Sequence, residues 1–318
     1  MSTPRPWRWG FLGASRIGRT ALAPAIAALP GHTLAAIAAR DPARATAYAA
    51  ECGFTRAHAS YESLLADPGI DAVYIALAND AHLPWTLRAL AAGKPVLCEK
   101  PLALDAAEVA RMAEAEHGAA RVMEAFCHIH HPQMDRAREL IAGGALGRVI
   151  AIQASFGAKI TNPDDFRWHA GQGGGALLDL GTYCVSAFRT LLGREPVAAS
   201  AVRGMRGNVD LDTTAQLDFG DGVAAQFTCS FDSARHQGLQ VVGSEERLSL
   251  DWPFSARNRV ASLWLGGDRT EFPVVDPYQA MVLDFTRAIE TGGPMRHGID
   301  ASVRQAEALD MVARATIS

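Results

Sequence analysis

The stretch Trp7-Arg8-Trp9-Gly10-Phe11-Leu12-Gly13-Ala14-Ser15-Arg16-Ile17-Gly18 decides the fold of this chain. Trp7 to Leu12 reads as a short apolar strand, Gly13 to Gly18 as a glycine-bounded turn, and the Ala/Leu/Ile-rich run from Arg19 to Leu29 as a helix. A second strand, Thr33 to Ala39, follows. Strand, glycine turn, helix and strand make one βαβ unit, the context in which a GxGxxG-like turn cradles a dinucleotide. Ser15 replaces the middle glycine. Serine is small enough for the backbone to approach a pyrophosphate, and its hydroxyl can donate to an oxygen. The helix N-terminus adds N–H groups and a positive dipole end. Gly13, Ser15, Arg16, Ile17 and Gly18 are therefore the candidate cradle.

The end of the second strand selects the nucleotide. An NAD-specific site would place a carboxylate there, on both ribose hydroxyls; this chain has Ala38-Ala39-Arg40-Asp41. Small residues leave room, and Arg40 can hold a 2′-phosphate in its planar fork. This favours NADP. Asp41 reads as the cap of a helix begun by Pro42; alternatively it reaches the ribose and admits NAD.

The alternation continues through helix Tyr61 to Ala66, strand Asp71 to Leu77, helix Ala81 to Ala92, strand Pro95 to Cys98, helix Asp105 to His117 and strand Arg121 to Phe126. Such alternation predicts a parallel, doubly wound sheet, whose ligands lie at the carboxyl ends of the strands. Asn79 stands at one such end, where the nicotinamide end of a cofactor is expected. His82 is either a cofactor-side group or an ordinary first-turn helix residue. Lys100 follows another such strand. The chain has thirty basic residues, of which only Lys94, Lys100 and Lys159 are lysine. An ammonium can exchange its proton; a guanidinium in practice cannot. Lys100 is thus a candidate for chemistry or, on position alone, a solvated loop lysine.

The bulk numbers bound the rest. At 318 residues, 49% hydrophobic, 20% charged and net charge −4, the chain suits two globular domains. No Lys/Arg run suggests nucleic acid, and no apolar run is long enough for a membrane span. The apolar segment near the start ends at Gly13, too short for a secretory signal. Cys52, Cys98, Cys127, Cys184 and Cys229 are scattered, without CxxC spacing, and read as reduced thiols of a cytoplasmic protein.

Four elements now stand in order: Gly13 to Gly18, Asn79-x-x-His82, Glu99-Lys100-Pro101 and Asp179-Leu180-Gly181-Thr182-Tyr183. With them the chain resembles the glucose–fructose oxidoreductase / inositol dehydrogenase (Gfo/Idh/MocA) family, from Trp9 to about Leu309. Gly173-Gly174-Gly175-Ala176-Leu177-Leu178-Asp179 and Glu124-Ala125-Phe126 ahead of His131-Pro132-Gln133 look like the branch holding dimeric dihydrodiol dehydrogenase and NADP-dependent xylose dehydrogenase. The resemblance implies an α/β fold: an N-terminal Rossmann doubly wound parallel sheet in residues 1–126, then a C-terminal α+β domain in 127–318 with a large, mostly antiparallel, open-faced sheet. It places Asn79, His82, Glu99 and Lys100 on the cofactor side. It implies Lys100 near the reacting carbon, Tyr183 as the proton-transferring residue and Asp179 one helical turn earlier. The spacing agrees, since i and i+4 share a helix face. A phenol of pKa near 10 needs such a cation to act as a base at neutral pH.

The chain also departs from that branch. A tyrosine–arginine pair is expected before His-Pro, but Cys127-His128-Ile129-His130-His131-Pro132 puts His128 and Ile129 there. Three histidines in four residues invite a metal reading. No HExxH or carboxylate spacing accompanies them, so no metal is expected. His128 is expected to orient a substrate hydroxyl, while Ile129 removes a cation and shifts preference from simple aldoses. Arg167 and Trp168, in the polar loop Asn162 to Gly173, are candidate sugar contacts or ordinary loop residues.

A helix is expected from Pro132 to Ala142 and strands at Val149–Phe156, Ala198–Arg203, Thr213–Phe219, Val223–Phe231, Gln237–Val242, Arg247–Leu250 and Val260–Leu265, with a hairpin turn at Gly220-Asp221-Gly222. Terminal helices are expected at Tyr278–Glu290 and Ala301–Ala315. The sheet's open face implies a homodimer or homotetramer. The expected activity is NADP-dependent hydride transfer to or from a hydroxyl/carbonyl carbon of a sugar, polyol or cyclic diol. A keto-sugar reductase uses the same groups. A non-catalytic NADP-binding regulator would tolerate loss of Lys100 or Tyr183, and both are present.

Overall fold

The computed structural model describes residues 5–315, which divide into two compact units. The first holds residues up to Ala103, Ala107–Ala125 and Tyr278–Val303; the second holds Leu104–Ala106, Phe126–Pro277 and residues from Arg304 on. A single cut after residue 126 therefore misses the return of 278–303 to the first unit. There the helix Pro277–Thr291 places Phe285 5.5 Å from Trp9, and Trp7 donates its indole N–H to Glu290 at 2.6 Å. These contacts cover β1 with apolar surface from the far end of the chain.

The first unit carries a six-stranded sheet: β1 (Trp7–Leu12), β2 (His32–Ala38), β3 (Arg56–His58), β4 (Ala72–Ile75), β5 (Val96–Cys98) and β6 (Val122–Glu124). All pairings are parallel, in the order β3-β2-β1-β4-β5-β6. β4, β5 and β6 are buried along their whole length, as expected of strands covered by helices on both faces. The order reverses direction between β1 and β4, the switch point where an open α/β sheet binds its ligand. β3 has no apolar run to announce it: Arg-Ala-His is a short edge strand.

The second unit carries eight strands, β7 (Val149–Gly157), β8 (Ala198–Arg206), β9 (Val209–Asp218), β10 (Ala224–Ser230), β11 (His236–Gly243), β12 (Arg247–Leu250), β13 (Ala261–Leu265) and β14 (Asp268–Phe272). They lie in the order β14-β13-β12-β11-β7-β10-β9-β8. Neighbours are antiparallel except β7 and β10, which run parallel. One face packs on the helix Thr182–Leu192, with Phe188, Phe227 and Leu217 fully or nearly fully buried. The other face is open. There Gln240, Gln153, Gln226 and Gln216 form a hydrogen-bonded ladder across four strands, and Thr214 and Thr228 share a bond at 3.0 Å. β14 exposes four of its five residues, so its alternation carried no apolar signal.

Candidate active site

In the first unit, the turn after β1 is built for close approach. Gly13 has φ +104°, and a Cβ there would meet the Ala76 carbonyl oxygen at 2.6 Å. A Cβ on Gly18 would meet the Tyr48 hydroxyl at 2.7 Å and Ser15 Oγ at 2.9 Å. Ser15 Oγ accepts the Gly18 N–H at 2.9 Å, so this hydroxyl organises the turn itself. Two residues not expected from the sequence complete it. Tyr48 donates to the Ser15 carbonyl at 3.1 Å, and Arg44 to the Ala14 carbonyl at 2.8 Å. Burial, then the neighbouring Cys52, raises the Tyr48 pKa and keeps it a donor. Arg16 is exposed and Ile17 half-buried. A glycine-lined cradle at the start of a helix suits a dinucleotide pyrophosphate.

Arg40 lies exposed beyond β2. Asp41 accepts the Ala43 N–H at 2.9 Å and caps the helix Pro42–Cys52. Asn79, after β4, is buried. Parallel pairing puts these ends and that of β5 on one edge of the sheet, with Gly13–Gly18, Arg40, Asn79 and Lys100 along it.

Two cofactor-side candidates have other partners. His82 is fully buried, its Nδ1 2.9 Å from the Pro101 carbonyl oxygen and its Nε2 3.2 Å from that of Leu77. Burial lowers its pKa, and these carbonyls oppose the shift. Both ring nitrogens therefore face backbone carbonyls. Glu99 accepts the Tyr74 hydroxyl at 2.7 Å, which fastens its carboxylate to β4. The Lys100–Pro101 peptide is cis. Of the other two lysines, Lys94 donates to the carbonyls of Asp67 and Ile70, both at 2.9 Å, and Lys159 pairs with Asp232 at 3.2 Å.

In the second unit, Asp179 and Tyr183 stand on one continuous helix, but its start, Leu177–Gly181, is a π turn closed by the Thr182 N–H on the Leu177 carbonyl. Such wide turns recur at functional sites. Gly181 lets this helix lie close to the sheet: a Cβ would meet Leu177 at 3.0 Å, Phe227 at 3.1 Å and Cys229 at 3.2 Å, and these side chains would have to give by a few tenths of an ångström. Asp210 anchors the helix start by accepting the Leu177 N–H and the Thr213 hydroxyl, each at 2.7 Å. Asp179 is clamped by Arg167, with Nε to Oδ2 at 2.7 Å and Nη2 to Oδ1 at 3.2 Å; Arg167 also reaches Asp165 at 3.1 Å. Burial disfavours this guanidinium, but Asp179 and Asp165 more than offset that and raise its pKa.

Tyr183 is half-buried in an aromatic box. His128 lies 5.2 Å from its ring centroid, Phe156 5.4 Å, Phe126 5.8 Å and Phe254 5.9 Å. The structure thus joins Arg167 to Asp179, and His128 to Tyr183. Trp168 is engaged by its own neighbours: its indole donates to the Asn162 carbonyl at 2.9 Å, and Arg206 covers the ring at 4.1 Å. Ile129 is only 2% exposed, as buried as its neighbour His128. His131 caps the helix Pro132–Ala142 through Nδ1 on the Gln133 N–H, and burial pushes its pKa down to about 4. Among the described residues, no group of three His, Cys, Asp or Glu side chains is arranged to hold a metal ion, and no helix is long and apolar enough to cross a membrane.

The same two-part architecture emerges from comparison with known proteins. Residues 7–126 match the oxidoreductase family with NAD-binding Rossmann fold, and 134–249 match the GFO/IDH/MocA C-terminal domain. The chain is 37% identical to a D-xylose 1-dehydrogenase (NADP(+)) of Haloferax volcanii over 96% of this chain and 95% of that one. It is 38% identical to a dTDP-3,4-didehydro-2,6-dideoxy-alpha-D-glucose 3-reductase of Streptomyces violaceoruber over 98% and 96%. The structure of KijD10, a 3-ketoreductase from Actinomadura kijaniata, in complex with NADP and TDP-benzene, superposes with TM-score 0.90 and 31% identity, covering 98% of each chain. With its Rossmann sheet, glycine cradle and open-faced second sheet, this chain is an oxidoreductase belonging to the Gfo/Idh/MocA family.

Proposed function

We propose that the chain is an NADP-linked dehydrogenase or reductase acting on a hydroxyl/carbonyl carbon of a cyclic diol or a sugar of reduced polarity. The observation that carries the reading is the aromatic box around Tyr183, on a chain whose first unit has the Gly13–Gly18 cradle and Lys100 at the carboxyl edge of its sheet. The cradle holds the pyrophosphate, and Arg40 binds the 2′-phosphate. Commitment of Asp41 to a helix cap supports NADP over NAD. When bound, the nicotinamide supplies the hydride chemistry. Asn79 shapes its site. Tyr183 takes the substrate proton in oxidation and returns it in reduction. Lys100 is the cation of the reaction. Arg167, neutralised by Asp179 and Asp165, is held rigid for hydroxyl recognition beside Trp168.

The box supports a substrate of reduced polarity. Phe156, half-buried and stacked on Phe254 at 5.2 Å, offers apolar surface beside Tyr183, where a fully hydroxylated aldose would lose hydrogen bonds to water. His128 offers a single adaptable partner for one hydroxyl. Reduction of a keto-sugar on the same groups is the second direction, favoured by the likeness to the Streptomyces 3-reductase and to the 3-ketoreductase KijD10. The open face of the second sheet, with Gln216, Gln226, Thr214 and Thr228 exposed, is the proposed homodimer or homotetramer contact. The five free cysteines suit a reducing, cytoplasmic setting.

Following NADPH absorbance with aldoses, inositols, anhydro-sugars, keto-sugars and dihydrodiols tests the reading. The less polar substrates are expected to turn over best. Lys100→Met and Tyr183→Phe are each expected to lower turnover about 100-fold or more with cofactor binding nearly intact. Near-wild-type turnover in either variant removes that residue from the chemistry.

A further inference from the structure

One peptide group beside Lys100 is gripped at both ends by buried side chains. The Pro101 carbonyl oxygen lies 2.9 Å from His82 Nδ1, and the N–H of the same peptide, on Leu102, donates to Glu124 Oε1 at 2.9 Å. His82 is fully buried and Glu124 is 2% exposed. The other oxygen of Glu124 is 3.2 Å from Nε2 of His297, itself buried. The remaining nitrogen of His82 faces Leu77, on the segment that leads to Asn79. Three separate parts of the first unit converge here: the start of the helix His82–Ala91, the end of β6, and the loop before the helix Ile299–Arg314. A bridge between Met123 and Gly298 fastens that loop to β6.

We propose that His82 and Glu124, with His297 behind Glu124, are positioning residues that fix the Lys100 turn by holding the Pro101–Leu102 peptide plane; this rests on Lys100 being the cation of the reaction. Keeping a carboxylate and two imidazoles away from water costs several kcal/mol unless each is bonded, and an apolar trio would pack the same space without that cost. Here they constrain a backbone direction, which apolar contact does poorly because it is not directional. A peptide plane held at both poles cannot rotate without breaking two buried hydrogen bonds. The residue before it inherits that rigidity, and a displacement of about 1 Å at a reacting group can cost about 100-fold in rate.

The rarity of lysine makes the proposal testable without a substrate. With lysine ¹³C-labelled at Cε, the protein has three side-chain signals, assigned by Lys94→Arg, Lys100→Met and Lys159→Arg. Glu124→Ala and His82→Phe are expected to shift or broaden the Lys100 signal by more than a linewidth and to leave those of Lys94 and Lys159 in place. Glu124→Gln, which removes the charge but keeps an oxygen for the Leu102 N–H, is expected to restore it. An unchanged Lys100 signal in both Glu124→Ala and His82→Phe overturns the proposal. So does a Glu124→Gln spectrum as disturbed as that of Glu124→Ala, which would mean that only charge was sensed. If Glu124→Ala does not fold, His82→Phe and Glu124→Gln carry the same comparison.

Turnover gives the second arm. Glu124→Ala is expected to lower it about tenfold or more, within the range for misplaced reacting groups, with NADP affinity little changed and no further loss in a Lys100→Met background. Equal losses in both backgrounds overturn the proposal. Full turnover in Lys100→Met sinks the role of Lys100 itself, whereas a crippled Lys100→Met beside an active Glu124→Ala sinks only the positioning role.

Discussion

Replacing Asp179 by asparagine separates its structural work from its part in chemistry, and the structure sets the size of the effect. The Asp179 carboxylate is 13% exposed and holds Arg167, 24% exposed, through two bonds of 2.7 and 3.2 Å. Breaking a fully buried pair costs about 3–5 kcal/mol, while an exposed pair is worth at most about 1 kcal/mol. This pair lies between those limits, and Arg167 keeps Asp165 at 3.1 Å after the change. The expected destabilisation is therefore about 2 kcal/mol, or about 30-fold in the unfolding equilibrium. For a unit of this size it lowers the melting temperature by about 4–8 °C. Urea unfolding followed by tryptophan fluorescence reports it, because Trp168 adjoins Arg167 in sequence. Arg167→Met and the double variant close a cycle. Their coupling should exceed about 1 kcal/mol, as expected for residues in one ion-pair network. A wild-type midpoint for Asp179→Asn, or coupling near zero, would refute the clamp and leave Arg167 free to serve the substrate alone.

Arg40→Ala is expected to weaken NADP by about 30-fold, on the order of 2 kcal/mol for a charge-assisted phosphate contact, and to leave NAD nearly unchanged; titrating both cofactors by fluorescence checks this, and equal losses would deny Arg40 the 2′-phosphate. Ile129→Arg is expected to destabilise the fold by several kcal/mol because it buries an unpaired cation, and improved turnover of simple aldoses would contradict that placement. His131 is held neutral in the folded chain, with its pKa near 4 against an unfolded value near 6.5. The unfolded state therefore binds the extra proton first. Stability is unaffected above about pH 6.5 and falls by about 2 kcal/mol by about pH 5. His131→Asn should flatten that slope in urea midpoints measured from pH 7 to 5.

The elements that were legible in the sequence share one physical property: a local signal. The βαβ unit announces itself because strand, glycine turn and helix are contiguous, although the atoms that crowd Gly13 and Gly18 come in part from farther along the chain, Ala76 after β4 and Tyr48 in the helix Pro42–Cys52. β3 and β14 carry no such signal. They are edge strands with polar, solvent-facing residues, stabilised by pairing to a neighbour rather than by burial. The spacing of Asp179 and Tyr183 was legible, but not the π turn beneath it, which residue spacing does not distinguish from an α turn.

Polar groups that act across long separations were hardest to read. Glu124 and His297 are 173 residues apart, and His82 meets Pro101 across 19. No periodicity records such a meeting. Even so, a trace was present. Val122-Met123-Glu124-Ala125-Phe126 puts one carboxylate in an apolar strand, and a buried charge persists only where something pairs with it. The same logic applies to the rare lysine that opened a functional reading. A side chain whose chemistry contradicts its surroundings, Lys100 after a buried strand or Glu124 inside one, marks a place where the fold gives up packing stability for a fixed geometry. Here the two contradictions meet: Glu124, on β6, accepts the N–H of the Pro101–Leu102 peptide that follows Lys100.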